Sequence, residues 1–485
     1  MSNQKTERAG NVRLSRRQRK ELKRQLASEN CGLDIVHPDA AGIDIGGSEH
    51  YVAVAPDRDP EPVRKFGCFT ADLIRMAEWL KAGGISTVAM QSTGVYWFAV
   101  YDVLERHGLE VYLVNAHHTK NLPGRKSDVQ ESQWLLRLHT FGLLRNSFRP
   151  PADIRELRNI WRLRDRHVSD AARSVQHMQK ALTGMNLQLA NTISDISGTT
   201  GMAIIRAIVR GERNPQTLAG LKNRRIQATN RELVQSLEGV WQQDLLFELE
   251  QALDEYDFKW NQIEQCDRKL KLLLADLPAK VIADSSDRSG PQDPATLSAA
   301  DKPVKKKRRN RPSRNAPQSF DLAAELTRIC GVDATRIEGV DVMTIQTIVA
   351  ELGTDLQRHW RTQEHFASWL KLTPQREISG GKVIRHTREK SGNRVAGMLR
   401  MCATTLLRSD SYPGARYRAL RARLGARKAI KAMARHLACL IYQLFTKGHQ
   451  WIDLGREMYE HRLAERQKTA LQSKARALGL KLVSA

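Results

Sequence analysis

The chain has only six cysteines, and none lies in a CxxC pair or beside histidines at zinc-ligand spacing. Cysteines placed in this way predict neither a structural zinc site nor a disulfide framework. No apolar run is long enough to cross a bilayer, since the longest, Leu437 to Phe445, has about half the required length. The N-terminus is charged and has no apolar segment typical of a secretory signal. We therefore expect a cytoplasmic protein that does not span a membrane.

Acidic residues are too few to balance the basic ones. The 485 residues include 78 Lys and Arg against 53 Asp and Glu, which gives a net charge of +25. Such an excess attracts polyanions, either nucleic acid or an acidic membrane surface. The hydrophobic content of 41% and the charged content of 27% are typical of globular proteins. The length allows roughly two to four domains.

Shifts in composition and periodicity divide the chain into six segments. The third segment shows heptad spacing, and the fourth combines low hydrophobicity with high charge, which predicts disorder. The segments are a basic arm at 1–36, an α/β domain at 37–150, a helical, coiled-coil region at 151–283, a disordered basic linker at 284–318, a helical domain at 319–455, and a basic last helix or frayed tail at 456–485.

Residues 37–150 alternate short apolar runs with amphipathic stretches. We expect strands near 42–45, 51–55, 63–69, 85–90 and 109–114. Helices are expected at 72–82, 95–107 and 128–144. The order βββαβαβα is the ribonuclease-H-like pattern, a mixed sheet flanked by helices.

The third segment contains two stretches with apolar residues seven apart, at 157–192 and 249–277, and Asp267 interrupts the second. This spacing favours long helical arms that pair either within one chain or between chains. The fifth segment is expected to be mostly helical, with helices at 322–329, 342–352, 363–370, 395–407 and 426–447 and one extended stretch near 379–386. Ser391 or Asn393 is expected to cap the N-terminus of the fourth of these helices.

Four polar side chains in the α/β domain are candidates for a cation site. Asp44 ends an apolar strand just before Gly46-Gly47, and Gln91 follows another strand. Asp128 and Glu131 are spaced i, i+3 at the start of a helix, which puts both on one face. Individually they are also explained as a turn aspartate, a strand-capping amide and acids that favour a helix N-terminus. Together they fit two-metal phosphoryl transfer with Mg²⁺, although three carboxylates are few for two cations.

Aromatic residues follow Gln91 closely in the sequence. We interpret Tyr96 and Trp97 as core residues rather than groups that stack on bases.

A candidate nucleophile lies far away in the sequence. Ser379 precedes Gly380-Gly381, so its hydroxyl is expected to be exposed on a mobile turn. Nearby cations would stabilise a phosphorane. The alternative is an ordinary Ser-Gly turn between two helices. The candidate nucleic-acid contacts are Lys126, Lys382, Arg385, Lys390 and Arg394.

These motifs resemble the IS110/IS1111 family, the DEDD-type transposases of bacterial insertion sequences. The resemblance covers about 37–148 and 326–452. Its strongest local matches are Gly42-Ile43-Asp44, Ser92-Thr93-Gly94-Val95-Tyr96-Trp97, Gly124-Arg125-Lys126-Ser127-Asp128, and Gly380-Gly381-Lys382 followed by Gly392-Asn393-Arg394.

The resemblance implies a RuvC-like nuclease domain and a helical transposase domain that cut and rejoin DNA with a metal. It implies that Ser379 forms a phosphoserine link to DNA, in a composite site shared between subunits of a dimer or tetramer. It also implies an element-encoded guide RNA that pairs with donor and target DNA. Asp44 and Asp128 match the first and third acidic positions, while Gln91 stands where the family has Glu and Glu131 where it has Asp. We expect the site to remain active.

Three other functions fit parts of the sequence. The segment Asp44-Ile45-Gly46-Gly47-Ser48 is similar to the phosphate loop of actin-like sugar kinases and ATPases, although no second such loop follows. A nucleic-acid-binding relative with a site decayed at Gln91 would bind without cutting. A junction-resolving nuclease would cut without needing Ser379.

Overall fold

The computed structural model describes residues 33–92, 94–115, 127–280, 315–380, 382–387, 392–448 and 455–480. The predicted basic arm lies outside these ranges up to residue 32, as does most of the predicted linker. The chain divides into two compact units, Met1–Arg149 and Pro150–Ala485.

A mixed five-stranded sheet forms the centre of the first unit, as the sequence predicted. Its strands are β1 Ala40–Ile45, β2 Glu49–Val54, β3 Val63–Gly67, β4 Thr87–Gln91 and β5 Glu110–Val114. The order across the sheet is β3-β2-β1-β4-β5. The first three strands pair antiparallel, while β1, β4 and β5 are parallel. The central strands β1 and β4 are almost continuously apolar because both of their faces are buried.

Three helices pack with this sheet: α1 Thr70–Ala82, α2 Trp97–Arg106 and α3 Asp128–Thr140. Helix α3 ends four residues before the predicted end at Leu144. It stops there because Gly142 adopts a φ of +65°, and the Leu143 amide donates back to the Leu138 carbonyl. This is the usual glycine-dependent end of an α-helix.

Helix α3 runs antiparallel to β1 and lies very close to it. A Cβ atom on Gly42 would be only 2.3 Å from the Leu136 nitrogen and the Ser132 oxygen, so only glycine permits this approach. The amide of Val36, just before β1, donates to the Thr140 carbonyl at the other end of the helix. Because the helix ends next to the start of β1, its first turn lies at the strand's C-terminal end.

His139 fixes the last turn of α3 to the sheet. Its Nε2 is 3.0 Å from the Thr87 hydroxyl on β4, and its ring stacks on that of His37. Burial lowers the His139 pKa to about 4, and the neighbouring His37 adds to this effect. The imidazole is therefore neutral at physiological pH and holds the helix as a hydrogen-bonding group.

The second unit contains two long helices, α4 Ala152–Gly184 and, after four short helices, α9 Gln243–Asp276. They pack along each other within one chain, which answers the question that the heptad spacing left open. Ion pairs Lys180–Glu248 and Glu156–Lys269 show that the two helices are antiparallel. Helix α4 is shorter than the heptad stretch because Asn186 takes a φ of +56°.

Asp267, which interrupts the heptad pattern, faces Arg164 across the helix pair. The two side chains are 5% and 1% exposed and form an ion pair with two hydrogen bonds. A buried ion pair of this kind tolerates few alternative alignments, since a shift would leave each charge buried alone. It therefore fixes the register of α4 against α9.

The four short helices between α4 and α9 were not predicted. They are α5 Leu189–Thr192, α6 Thr199–Val209, α7 Pro215–Gly220 and α8 Asn230–Ser236. Buried Leu, Ile and Met side chains from these helices join the ends of the long helices in one hydrophobic cluster.

The rest of the second unit is helical apart from one hairpin. The five predicted helices are present as α10 Leu322–Cys330, α11 Val342–Leu352, α12 Gln363–Trp369, α13 Arg394–Thr405 and α15 Ala426–Lys447. Helix α14, Tyr412–Leu424, was not predicted, and the predicted tail contains helix α16, Gly455–Ala477. The hairpin strands are β6 Gln375–Ser379 and β7 Lys382–Thr387. In the described ranges, no helix combines the length and the apolar character needed to span a bilayer.

Candidate active site

Two of the predicted site residues end neighbouring strands of the sheet. In the parallel pair β1–β4, Gly42 lies opposite Ala89 and Ile43 opposite Met90, so the next positions along are Asp44 and Gln91. Asp44 lies two residues beyond Gly42, so its side chain extends on the face that α3 covers. The carboxylate of Asp44 and the amide of Gln91 therefore belong to the same edge of the sheet.

The start of α3 brings the other two acids to this edge. The Ser127 hydroxyl accepts from the Gln130 amide, and the Gln130 side chain accepts from the Ser127 amide, so the helix begins at Asp128. Glu131 then lies one turn into the helix, and its Oε2 is 3.4 Å from Nε2 of Gln91. Residues that are 40 positions apart in the sequence thus meet at the end of β4.

Tyr51 connects Asp128 with the same edge. It lies opposite Asp44 in the antiparallel β1–β2 pair. Its pKa is raised, chiefly by the hydrogen bond that it donates to Glu49 and by burial, and to a smaller extent by the negative charge of Asp128. The charge of Asp128 therefore acts weakly on the residue that lies opposite Asp44.

The four side chains differ in exposure. Gln91 is buried at 4% exposure, Asp44 and Glu131 are half-buried, and Asp128 is exposed. Over the described part of the chain, no three His, Cys, Asp or Glu side chains form a group that could hold a metal ion as they stand. The edge therefore offers three carboxylates and one amide oxygen, ligands that suit a hard cation such as Mg²⁺, without a closed carboxylate cluster.

Ser379 lies at the end of an exposed β-hairpin. The strands pair Ser379 with Lys382 across a two-residue connection, in which Gly380 has a φ of +55°. Positive φ at this position is characteristic of tight hairpin turns, and glycine adopts it without strain. The Ser-Gly turn therefore connects two strands, not the two helices of the alternative interpretation. The Ser379 side chain is exposed, as predicted for a nucleophile.

A bulge in this hairpin brings two cations to the face of Ser379. Lys382 lies directly opposite Ser379, and Arg385 lies opposite position 377, with Ile384 as the extra residue. Strand positions two apart share a face, so Ser379, Lys382 and Arg385 all belong to one face of the hairpin. Without the bulge, Lys382 and Arg385 would point to opposite faces.

Of the remaining predicted nucleic-acid contacts, only Arg394 lies among the described residues. Asn393 caps α13 by accepting from the Ala396 amide, which confirms one of the two predicted caps. Arg394 begins the helix, but its guanidinium donates to Asp165 at 2.9 Å and lies 4.0 Å from Glu351. Lys126 and Lys390 lie outside the described residues.

The prediction that Tyr96 is a core residue is wrong. Its side chain is 52% exposed, because the residue lies in the turn between β4 and α2 rather than on the buried face of the helix. Trp97 is half-buried and stacks on Phe98, with ring centroids 4.1 Å apart.

Comparison with known protein families agrees with the resemblance. A model of DEDD-type IS110 transposases, described as Transposase, matches residues 41–187, and a model described as Transposase IS116/IS110/IS902 family matches residues 319–418. The chain belongs to the IS110 family of transposases. The first match includes all four side chains at the edge of the sheet, and the second includes Ser379 and its hairpin. Comparison with curated proteins gives no match.

Membership in this family makes the protein an insertion-sequence transposase, with DNA as its partner and DNA transposition as its activity. The likeness to a sugar-kinase phosphate loop is therefore limited to one short segment around Asp44.

The transposase also has a basic surface that the sequence analysis did not single out. Residues 411–452 contain nine Lys and Arg and no Asp or Glu. This stretch includes α14 and α15, and the exposed cations near the turn between them are Arg421, Arg423, Arg427 and Lys428. The absence of Asp and Glu from this stretch is visible in the sequence and could have identified it. A surface with exposed Lys and Arg and no nearby acids attracts phosphates.

Proposed function

We propose that this transposase cuts and rejoins DNA by Mg²⁺-dependent phosphoryl transfer with Ser379 as the nucleophile. The observation that carries the proposal is the convergence of Asp44, Gln91 and the first turn of α3 at one edge of the sheet, with Glu131 and Gln91 3.4 Å apart. The strand order β3-β2-β1-β4-β5 supports it, because it agrees with a RuvC-like, ribonuclease-H-like nuclease domain.

The chemistry assigns a role to each group. Mg²⁺, when bound by Asp44, Asp128 and Glu131, would neutralise charge that develops on the phosphate oxygens. The Ser379 oxygen forms a bond to phosphorus, the strand's bridging oxygen leaves, and the serine proton passes through solvent to that oxygen. Lys382 and Arg385 stabilise the negative phosphorane because both share the face of Ser379. A hydroxyl of the new strand reverses these steps and releases the serine.

The partners of the reaction follow from charge and family. The net charge of +25 and the basic stretch at 411–452 support binding to element ends and target DNA. We further propose a guide RNA that selects these sequences, and a homo-oligomer, a dimer or tetramer, whose subunits contribute the serine and the acids to shared sites.

The test is a search for the covalent intermediate. Purified transposase with its co-purified RNA, Mg²⁺ and labelled element-end DNA should yield a protein–DNA adduct that survives denaturation, with the modified peptide containing Ser379. The adduct should disappear after RNase treatment or in EDTA. Cutting without an adduct would favour a junction-resolving nuclease, and binding without cutting would favour a non-catalytic relative.

Replacing Gln91 by glutamate tests whether the site is active as it stands. Gln91→Glu would place a carboxylate beside that of Glu131, so the two would repel each other until a cation lies between them. We expect the variant to cut DNA at the same or a lower Mg²⁺ concentration than the unchanged protein, measured by titrating Mg²⁺ in the cleavage assay. If only the variant cuts, the natural site is inactive and our expectation is wrong.

A further inference from the structure

The ring of Tyr96 lies between the two loops that follow the site residues of β1 and β4. A Cβ atom on Gly47 would be 3.5 Å from Cζ of the ring, and one on Gly94 would be 3.5 Å from Cε2. Gly47 comes three residues after Asp44, and Gly94 three residues after Gln91. The two glycines thus lie beside opposite edges of the ring, which places the ring next to the edge of the sheet where Asp44 and Gln91 lie.

This ring is flanked by two loops but is not buried. Tyr96 is 52% exposed although a glycine of each loop lies beside its ring. It immediately precedes α2, whose second turn is anchored by Arg149. That guanidinium lies 3.7 Å from the ring centre of Tyr101 and 2.6 Å from the Asp102 carboxylate. A tyrosine ring with an open surface is suited to contact a ligand, since its side chain has only two rotatable bonds and loses little conformational entropy on binding.

We propose that the Tyr96 ring stacks on an unpaired DNA base beside the phosphate that the transposase cuts. The inference rests on the proposed function, because it takes the edge formed by Asp44 and Gln91 to be the cutting site. Nucleobases present flat aromatic faces, and stacking on an exposed aromatic ring recognises them without reading their sequence. Stacking would also keep the flanking nucleotide out of the duplex and present its phosphate to the acids.

The experiment places 2-aminopurine, one position at a time, in an unpaired bubble beside the cut site of element-end DNA, so that the probe cannot return to a duplex when stacking is lost. Fluorescence and affinity are measured in EDTA, so that neither readout depends on cutting. Tyr96→Phe keeps the ring, whereas Tyr96→Leu keeps apolar bulk without a stacking surface. At one position we expect quenched emission with the unchanged protein and with Tyr96→Phe, and brighter emission with Tyr96→Leu. We expect DNA affinity to fall on the order of tenfold in Tyr96→Leu only.

Phe98→Leu is the matched control, because Phe98 lies two residues away, is 46% exposed and has its ring stacked on Trp97. We expect it to leave the emission unchanged. Equal emission and affinity for Tyr96→Leu and the unchanged protein would overturn the proposal. So would an equal effect of Phe98→Leu, or a loss of RNA binding alone. If only the proposed serine mechanism were wrong, the protein–DNA adduct would be missing while the quenching of 2-aminopurine by Tyr96 remained.

Discussion

Ser379→Ala is expected to abolish both the covalent adduct and strand joining, with a loss of about 10³-fold or more. The substitution removes the oxygen that forms the bond to phosphorus and leaves Lys382 and Arg385 on the same hairpin face. DNA binding should be unchanged within about twofold, because phosphate contacts dominate affinity. The measurement combines a denaturing gel of labelled element-end DNA with a binding titration at fixed salt.

Two controls distinguish loss of the nucleophile from a folding defect: the unfolding temperature of the variant and a second serine substitution. Ser379 is exposed at the end of a hairpin, so its alanine variant should unfold at the same temperature as the unchanged protein. Ser368, exposed on α12 in the same unit, supplies a matched Ser368→Ala control that should join strands normally. Strand joining by Ser379→Ala at the normal rate would assign the nucleophile to water or to another side chain.

The strands of the sheet were predictable because each one is marked by residues that are close together in the sequence. Short apolar runs bounded by glycine, such as the one that ends at Gly46, fixed the five strands to within about two residues. The end of α3 was predicted less well. Apolar periodicity continues to Leu144, and only the positive φ of Gly142 shows that the helix stops at Thr140.

The convergence at the site was only partly visible in the sequence. The i, i+3 spacing puts Asp128 and Glu131 on one face, but no local pattern says which strand that face meets. The structure answers this through Gly42, whose missing side chain lets α3 approach β1. Tyr96 was misjudged because aromatic residues are usually buried, and two glycines far apart in the chain define its surroundings.

In the helical regions too, the positions of helices could be predicted from nearby residues, whereas their packing partners could not. Heptad spacing located α4 and α9 but not their pairing, which depends on contacts such as Arg164–Asp267. Helix α14 was missed because its buried residues, Tyr412 to Ala415 and Tyr417, all lie in its first two turns, and Arg recurs at close intervals in the rest of it. Its apolar face is too weak to stand out as a row of large side chains.

Asp44→Asn is expected to reduce strand cutting roughly 10³-fold at ordinary Mg²⁺ concentration, because a bound metal contributes several kcal/mol to transition-state stabilisation. Asparagine has nearly the shape of aspartate, so we expect the sheet to be unchanged. The loss of cutting then measures the effect of removing the negative charge at position 44. The residual cutting should need a higher Mg²⁺ concentration for half-maximal rate, measured by titrating Mg²⁺ in the gel assay.

The dependence on metal separates this variant from Ser379→Ala. Loss of a metal-binding carboxylate is partly offset by more Mg²⁺, whereas loss of the nucleophile is not. Asp57→Asn supplies the matched control, since Asp57 is a highly exposed acid in the same unit and lies at the opposite end of the sheet from the C-terminal ends of β1 and β4. If Asp44→Asn cut DNA with an unchanged Mg²⁺ dependence, the edge of the sheet would not be the metal site. The reaction would then depend on acids elsewhere in the chain.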